Sequence, residues 1–211
     1  MESPNIGLKL PEVLTVEEID RIIATVDRSK AEGQRNRAIL ETLYSCGLRV
    51  SELVNLKLSD LYFDEGFIKV EGKGNKQRLI PISPRAINEI KLYFTDRNQI
   101  EVKSGHEDFV FISLRRGKRL SRIMIFHMIK ELAQQASITK NISPHTFRHS
   151  FATHLLEGGA NLRAIQCMLG HESIATTEIY THIDRNVLRS EIIEHHPRNI
   201  KYRKEKESLF H

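Results

Sequence analysis

Between residues 60 and 82 the spacing of apolar residues changes from helical to strand-like, and that change limits what the chain can be. Segments 61–63, 67–70 and 78–82 read as short strands, separated by the turns Asp64-Glu65-Gly66 and Gly72-Lys73-Gly74-Asn75. Helical signals lie on both sides. Thr15-Val16-Glu17-Glu18 is a capping box, with Ile19, Ile22, Ile23 and Val26 forming one apolar face behind it. A second helix is expected from about 34 to 46, with Ile39, Leu40 and Leu43 inward and Gly47 as its stop. A short third helix begins near Ser51, and Ser83-Pro84 opens a fourth. Further helices are predicted at about 121–136, 144–157, 161–169, 173–180 and 184–195. The expected class is therefore mainly α with a small antiparallel β-sheet.

With 211 residues and 40% hydrophobic content, the chain is long enough for one ordinary domain with a real core, which excludes general disorder. Lys and Arg exceed Asp and Glu by 32 to 27, a net +5, so a nucleic-acid partner is permitted without being required. Cys46 and Cys167 are too few and too far apart for a disulfide scaffold or a four-ligand zinc site, and a reducing cytoplasm is the simplest compartment. No apolar run approaches the roughly 20 residues of a membrane helix, and the opening residues lack a signal-peptide core.

Four segments carry side chains suited to chemistry. Arg49 follows a glycine helix stop and precedes a helix, where backbone N–H groups and a guanidinium can converge on an anion. A solvated surface arginine is the plainer reading. Glu52 could pair with it, or simply favour the helix dipole as a first-turn acid. Lys73 sits in a hairpin turn with glycine on both sides, which lets a ligand approach the backbone; the alternative is ordinary soluble surface. His145 and Arg148 share one face of a helix opened by Pro144, a pair able to grip a phosphate. His145 and His149 also have metal-ligand spacing, but no HExxH pattern accompanies them, and no metal is expected. Gly170 stops a helix and presents His171 on a turn, and Tyr180 lies near the end of the next helix, where a half-buried core tyrosine is the usual finding. Neither GxSxG nor a P-loop is present.

Taken together, these boxes resemble the tyrosine recombinase (phage-integrase) family. Gly-Leu-Arg-Val-Ser-Glu-Leu around Arg49 resembles the family's first arginine box, and Gly-Lys-Gly-Asn-Lys its β-hairpin lysine. His145-Thr146-Phe147-Arg148-His149 resembles its H-x-x-R box, with Phe147 where leucine is more usual. Leu-Gly-His at 169–171 and Thr-Thr-Glu-Ile-Tyr-Thr-His at 176–182 resemble its third histidine and its tyrosine. His195-His196-Pro197-Arg198 is similar to the end of the bacterial Xer-type subgroup, which resolves chromosome dimers.

The resemblance implies a site-specific recombinase catalytic domain that cuts and rejoins double-stranded DNA through a 3′-phosphotyrosyl ester, without ATP, metal or cofactor. Tyr180 would be the nucleophile. Arg49, Arg148 and His171 would stabilise the phosphate, Lys73 would protonate the leaving oxygen, and His145 would assist the tyrosine proton, with Glu52 in support. Arg115, Arg116, Lys118, Arg119 and Arg122, a run without an acid, would contact the DNA backbone, although a solvated loop fits equally. The helix at about 184–196 would dock on a neighbouring protomer, giving a tetramer on DNA from free monomers; its stripe of Val187, Leu188, Ile192 and Ile193 could instead fold onto its own core. The same resemblance makes 1–14 the end of an interdomain linker, 15–200 the catalytic domain and 201–211 a charged tail, with the family's N-terminal core-binding domain absent. Alternatives are a nick-and-seal enzyme of the type IB topoisomerase kind and a DNA-binding module with latent or lost cleavage. The biological role would be chromosome dimer resolution or mobile-element integration and excision.

Overall fold

The computed structural model describes residues 12–170 and 185–209. Its first helix, α1 (Val16–Ala24), begins at the expected capping box. Glu18 N–H donates to Thr15 Oγ1 at 3.1 Å and Thr15 N–H donates to Glu18 Oε2 at 2.8 Å. Ile19, Ile22 and Ile23 are buried behind it. Just upstream, Leu14 is fully buried and its N–H donates to Ser150 Oγ, so the chain is already docked before the helix starts.

Helix α2 (Gly33–Cys46) runs through the centre of the domain. Glu41, Thr42, Tyr44 and Ser45 are buried along with its leucines, so this helix has no solvent face over its second half. Burying polar groups is tolerable only if each finds a partner. Thr42 Oγ1 donates to the Ala38 carbonyl, the Ser45 and Ser83 hydroxyls meet at 2.6 Å, and Tyr44 reaches His154. Gly47 ends the helix at φ +62, in the left-handed region that favours glycine.

After the short α3 (Val50–Val54) come the three strands, β1 (Leu61–Tyr62), β2 (Phe67–Glu71) and β3 (Gln77–Pro81). They pair antiparallel in the order β1-β2-β3, with Phe67 opposite Pro81 and Val70 opposite Arg78. Alternation turns Ile68, Val70 and Ile80 into the core, as the strand pattern requires. The turn between β2 and β3 carries positive φ at Gly74 and Asn75 and closes with Gly72 N–H donating to the Lys76 carbonyl.

Helix α4 (Pro84–Arg97) is capped by Ser83, whose Oγ accepts from Ala86 N–H. At its other end the buried Arg97 guanidinium donates to the carbonyls of Glu107, Phe109 and Val110, which folds the connecting region onto the core. Helices α5 (Arg122–Gln135), α6 (Pro144–Glu157) and α7 (Leu162–Leu169) follow where the sequence places them. The helix expected at 173–180 lies outside the described residues.

Helix α8 (Arg185–His195) packs on α7 and β3 of its own chain, burying Leu188 and Ile192 while Val187 stays 45% exposed. In the single chain the apolar stripe thus folds inward. One further helix departs from expectation. Residues 197–208, read from the sequence mostly as a charged tail, form α9 (Pro197–Ser208). Pro197 takes the first helical turn, where its missing N–H costs nothing, and His196 caps the helix by accepting from Arg198 N–H. Arg198, 3% exposed, pairs with Glu41 of α2 and Asp20 of α1, an anchor that sequence spacing does not reveal.

Candidate active site

The site is assembled where α2 ends and α6 begins. A Cβ on Gly47 would lie 2.3 Å from the Phe151 ring of α6, so the turn needs glycine for space as well as for its φ. That close approach brings Arg148 to the same turn: its Nη1 donates to the Gly47 carbonyl at 2.7 Å and its Nη2 to the Leu169 carbonyl at 2.5 Å. Arg148 is 6% exposed, and burial followed by the nearby Arg49 charge pushes its guanidinium down to about 10, still well charged at neutral pH. Two carbonyls hold the fork in place, and among the described residues its other N–H groups meet no acceptor, so they can serve an anion.

Arg49 enters from the same turn, at the N-cap of α3. Its side chain is 39% exposed and its Nη1 donates to Glu52 Oε1 at 3.0 Å, while its backbone N–H donates to Glu52 Oε2 at 2.8 Å. Glu52 is buried. Burial alone would raise its carboxyl, but the Arg78 hydrogen bonds and charge, joined by Arg49, outweigh it and hold the group ionised. The pairing of Arg49 with Glu52 considered from sequence is therefore present.

His145 stands exposed on the first turn of α6 beside Arg148's face, its ring 4.5 Å edge-to-face from His149. Partial burial, then the His149, Arg148 and Arg49 charges, lower its pKa, so the imidazole is neutral at pH 7 and able to accept a proton. The described residues contain no group of three His, Cys, Asp or Glu side chains placed to hold a metal ion. Lys73 lies exposed at the tip of the β2–β3 hairpin. Its root is joined to the arginines by Arg78, which the sequence reading passed over as an ordinary strand residue. Arg78 Nη1 and Nη2 donate to the two Glu52 oxygens at 2.7 and 3.1 Å, and its Nε donates to the Met168 carbonyl. The available signal was its register: a charged residue alternating with Ile80 on the core face of a strand must have a buried partner.

His171 and Tyr180 lie outside the described residues. Gly170, immediately before His171, ends α7 at φ +68. Among the basic run, Arg115, Arg116, Lys118 and Arg122 are exposed side chains. Arg119 is exposed too but engaged, donating to Asn55 Oδ1 and lying 5.2 Å over the Phe109 ring.

These features define a mainly helical domain in which a buried arginine and a half-exposed arginine meet at one turn, with a lysine exposed at the tip of the hairpin that Arg78 ties to Glu52. Residues 12–186 match the model of the phage integrase family. The chain is 46% identical over 199 residues to the tyrosine recombinase XerD of Staphylococcus saprophyticus, covering 94% of this chain and 67% of that one. To XerD of Staphylococcus haemolyticus it is 43% identical over 198 residues, with the same coverage. Among solved structures it resembles XerA recombinase, with a TM-score of 0.70 at 36% identity, covering 93% of this chain and 68% of the other. It also resembles XerH site-specific recombinase bound to its difH substrate before cleavage, with a TM-score of 0.68 at 28% identity over 83% of this chain and 51% of that one. The chain belongs to the phage integrase family and is a tyrosine recombinase. No helix among the described residues is long and apolar enough to cross a membrane.

Proposed function

We propose that the chain cuts and rejoins double-stranded DNA at a specific site by transesterification, in an Xer-like role, and that the roles fall as follows. Tyr180 Oη attacks phosphorus, forming the 3′-phosphotyrosyl bond as the bond from phosphorus to the 5′-oxygen breaks. The tyrosine proton passes to His145, whose neutral imidazole suits that task, and Lys73 gives a proton to the departing 5′-oxygen. Arg148 and Arg49 balance the charge that builds on the non-bridging oxygens, with His171 as a further donor. The ester retains the phosphodiester's energy, so reversal with another 5′-hydroxyl needs no ATP.

One observation carries this reading: Arg148 is buried, charged, and held by two backbone carbonyls beside Arg49, and no carboxylate among the described residues pairs with it. Such a charge is costly unless an anion completes it. Support also comes from XerH, solved with its difH substrate before and after cleavage. Arg115, Arg116, Lys118 and Arg122 are placed in the same proposal as DNA-backbone contacts, Arg119 as their structural anchor, and further protomers as partners on the DNA.

The test is a nicked suicide duplex bearing candidate target sequences, in EDTA and without ATP, resolved on a denaturing gel beside Tyr180→Phe. A covalent protein–DNA band that the variant lacks is the expected result. Salt-dependent binding with no band would replace this proposal by the DNA-binding module.

A further inference from the structure

Arg78 is the one charged side chain on the core face of the three-stranded sheet, and its surroundings are built around it. It is 16% exposed at the side chain, forks onto both oxygens of Glu52 and reaches the last turn of α7 through Met168. Glycines flank the guanidinium on two sides. A Cβ on Gly170 would lie 3.0 Å from its Cζ, and one on Gly72 would lie 3.2 Å from its Nη1.

The electrostatic consequence concerns Arg49. Glu52 Oε1 accepts from both Arg49 and Arg78, at 3.0 and 2.7 Å, and the Arg78 contact is the shorter and the bidentate one. A carboxylate shared in this way is neutralised mainly by Arg78, and the cluster with Arg148 remains positive. Were Arg78 absent, Glu52 and Arg49 would form a closed one-to-one pair, and Arg49 would offer a phosphate little net charge.

We infer that Arg78 is a positioning residue for strand cleavage: by taking most of the Glu52 carboxylate's charge, it leaves the Arg49 guanidinium, which shares that carboxylate, with net positive charge for the scissile phosphate. The inference rests on the proposed role of Arg49. It also requires arginine, because a lysine cannot fork onto a carboxylate and reach a carbonyl at the same time.

Single-turnover cleavage of the nicked duplex tests it, on an ordinary phosphate and on a methylphosphonate whose reacting centre carries no negative charge. Arg78→Gln is expected to slow cleavage of the phosphate about 10- to 100-fold, and the methylphosphonate by less than about 3-fold, because only the charged centre needs the positive charge that Arg49 retains. Adding Glu52→Gln to Arg78→Gln removes the carboxylate that would capture Arg49 and should recover at least about 5-fold. A residue needed only for packing would give the opposite, a double variant slower than the single one. Arg78→Lys, which keeps the charge, covers the case in which the glutamine variant does not fold, and is expected to show the same preferential loss on the phosphate. Equal losses on both substrates, a wild-type rate in Arg78→Gln, or no recovery in the double variant would overturn the inference. Failure of the underlying reading shows separately, as a wild-type protein with no Tyr180-dependent band.

Discussion

The guanidinium of Arg148 donates to the carbonyl of Gly47 at 2.7 Å, across 101 residues of chain, and this bond joins the two arginine segments of the site into one unit. The glycine permits it twice over, by its positive φ and by the missing Cβ that would strike Phe151.

Gly47→Ala should therefore harm stability and cleavage together. Left-handed strain and a Cβ forced against a fully buried ring sum to about 3 kcal/mol. Urea denaturation gives the first effect and suicide-substrate cleavage the second; a variant with wild-type stability would contradict the packing described.

Arg148→Lys keeps a positive charge but loses the fork between two carbonyls. Cleavage is expected to fall about a hundredfold or more while DNA affinity changes little, since phosphate binding elsewhere is untouched. Gel-shift titration beside single-turnover cleavage separates the two.

The His145 imidazole has its pKa lowered, so its neutral form persists somewhat below the usual histidine range. If it accepts the tyrosine proton, the cleavage rate should be flat at neutral pH and fall as acid protonates it. His145→Gln should be slow at every pH and should lack that acid limb.

Acid should also loosen the C-terminal helices. Buried His196 donates from Nε2 to the Tyr44 carbonyl and accepts at Nδ1 from Arg198 N–H, so both nitrogens are committed to the neutral tautomer. Burial chiefly, and then the facing His154 and Arg198 charges, take its pKa down to about 3, against a partly offsetting bond to Tyr44. The folded pKa lies below the unfolded one, so the unfolded chain binds more protons, and the stabilisation present above about pH 6.5 is lost as pH falls from there toward about 3. Urea midpoints between pH 8 and 4, compared with His196→Gln, should show a shallower pH dependence in the variant. Arg198→Ala should weaken the same region at neutral pH by about 3 kcal/mol, because Asp20 and part of Glu41 lose their buried partner. Faster tryptic cleavage within 201–206 would report it.

Replacing Arg115 and Arg116 together by alanine should weaken DNA binding and lower the slope of log K against log salt by about 2. Arg119→Ala should act differently, through loss of its Asn55 and Phe109 contacts, and register in thermal stability as well as in binding.

Much of this architecture was readable beforehand because its signals are local. The Thr15 capping box, the Ser83-Pro84 and Ser121 helix starts, the glycine stops at 47 and 170 and the hairpin turn around Lys73 each depend on residues within a few positions of one another. The Arg49–Glu52 pair was legible for the same reason, spanning three residues. The partners of Arg78 were not: its alternation with Ile80 shows only that it needs some buried partner, and those it finds are 26 and 90 residues away in sequence. Helix α9 was missed because its composition reads as a solvated tail. Its footing on Asp20 and Glu41 lies 178 and 157 residues upstream.

The amino-acid sequence by itself determined most helix starts and stops, the existence and order of the three strands, which faces are apolar, and which contiguous boxes resemble the family's. Backbone conformation and amphipathic spacing are set by near neighbours, and the family boxes are contiguous. Only the tertiary structure decided which charges share a carboxylate and which carbonyls hold Arg148. It also decided that, in the single chain, Leu188 and Ile192 of α8 face the core while Val187 does not. Such pairings depend on burial, which makes an unmatched charge costly, and burial exists only once distant segments have packed.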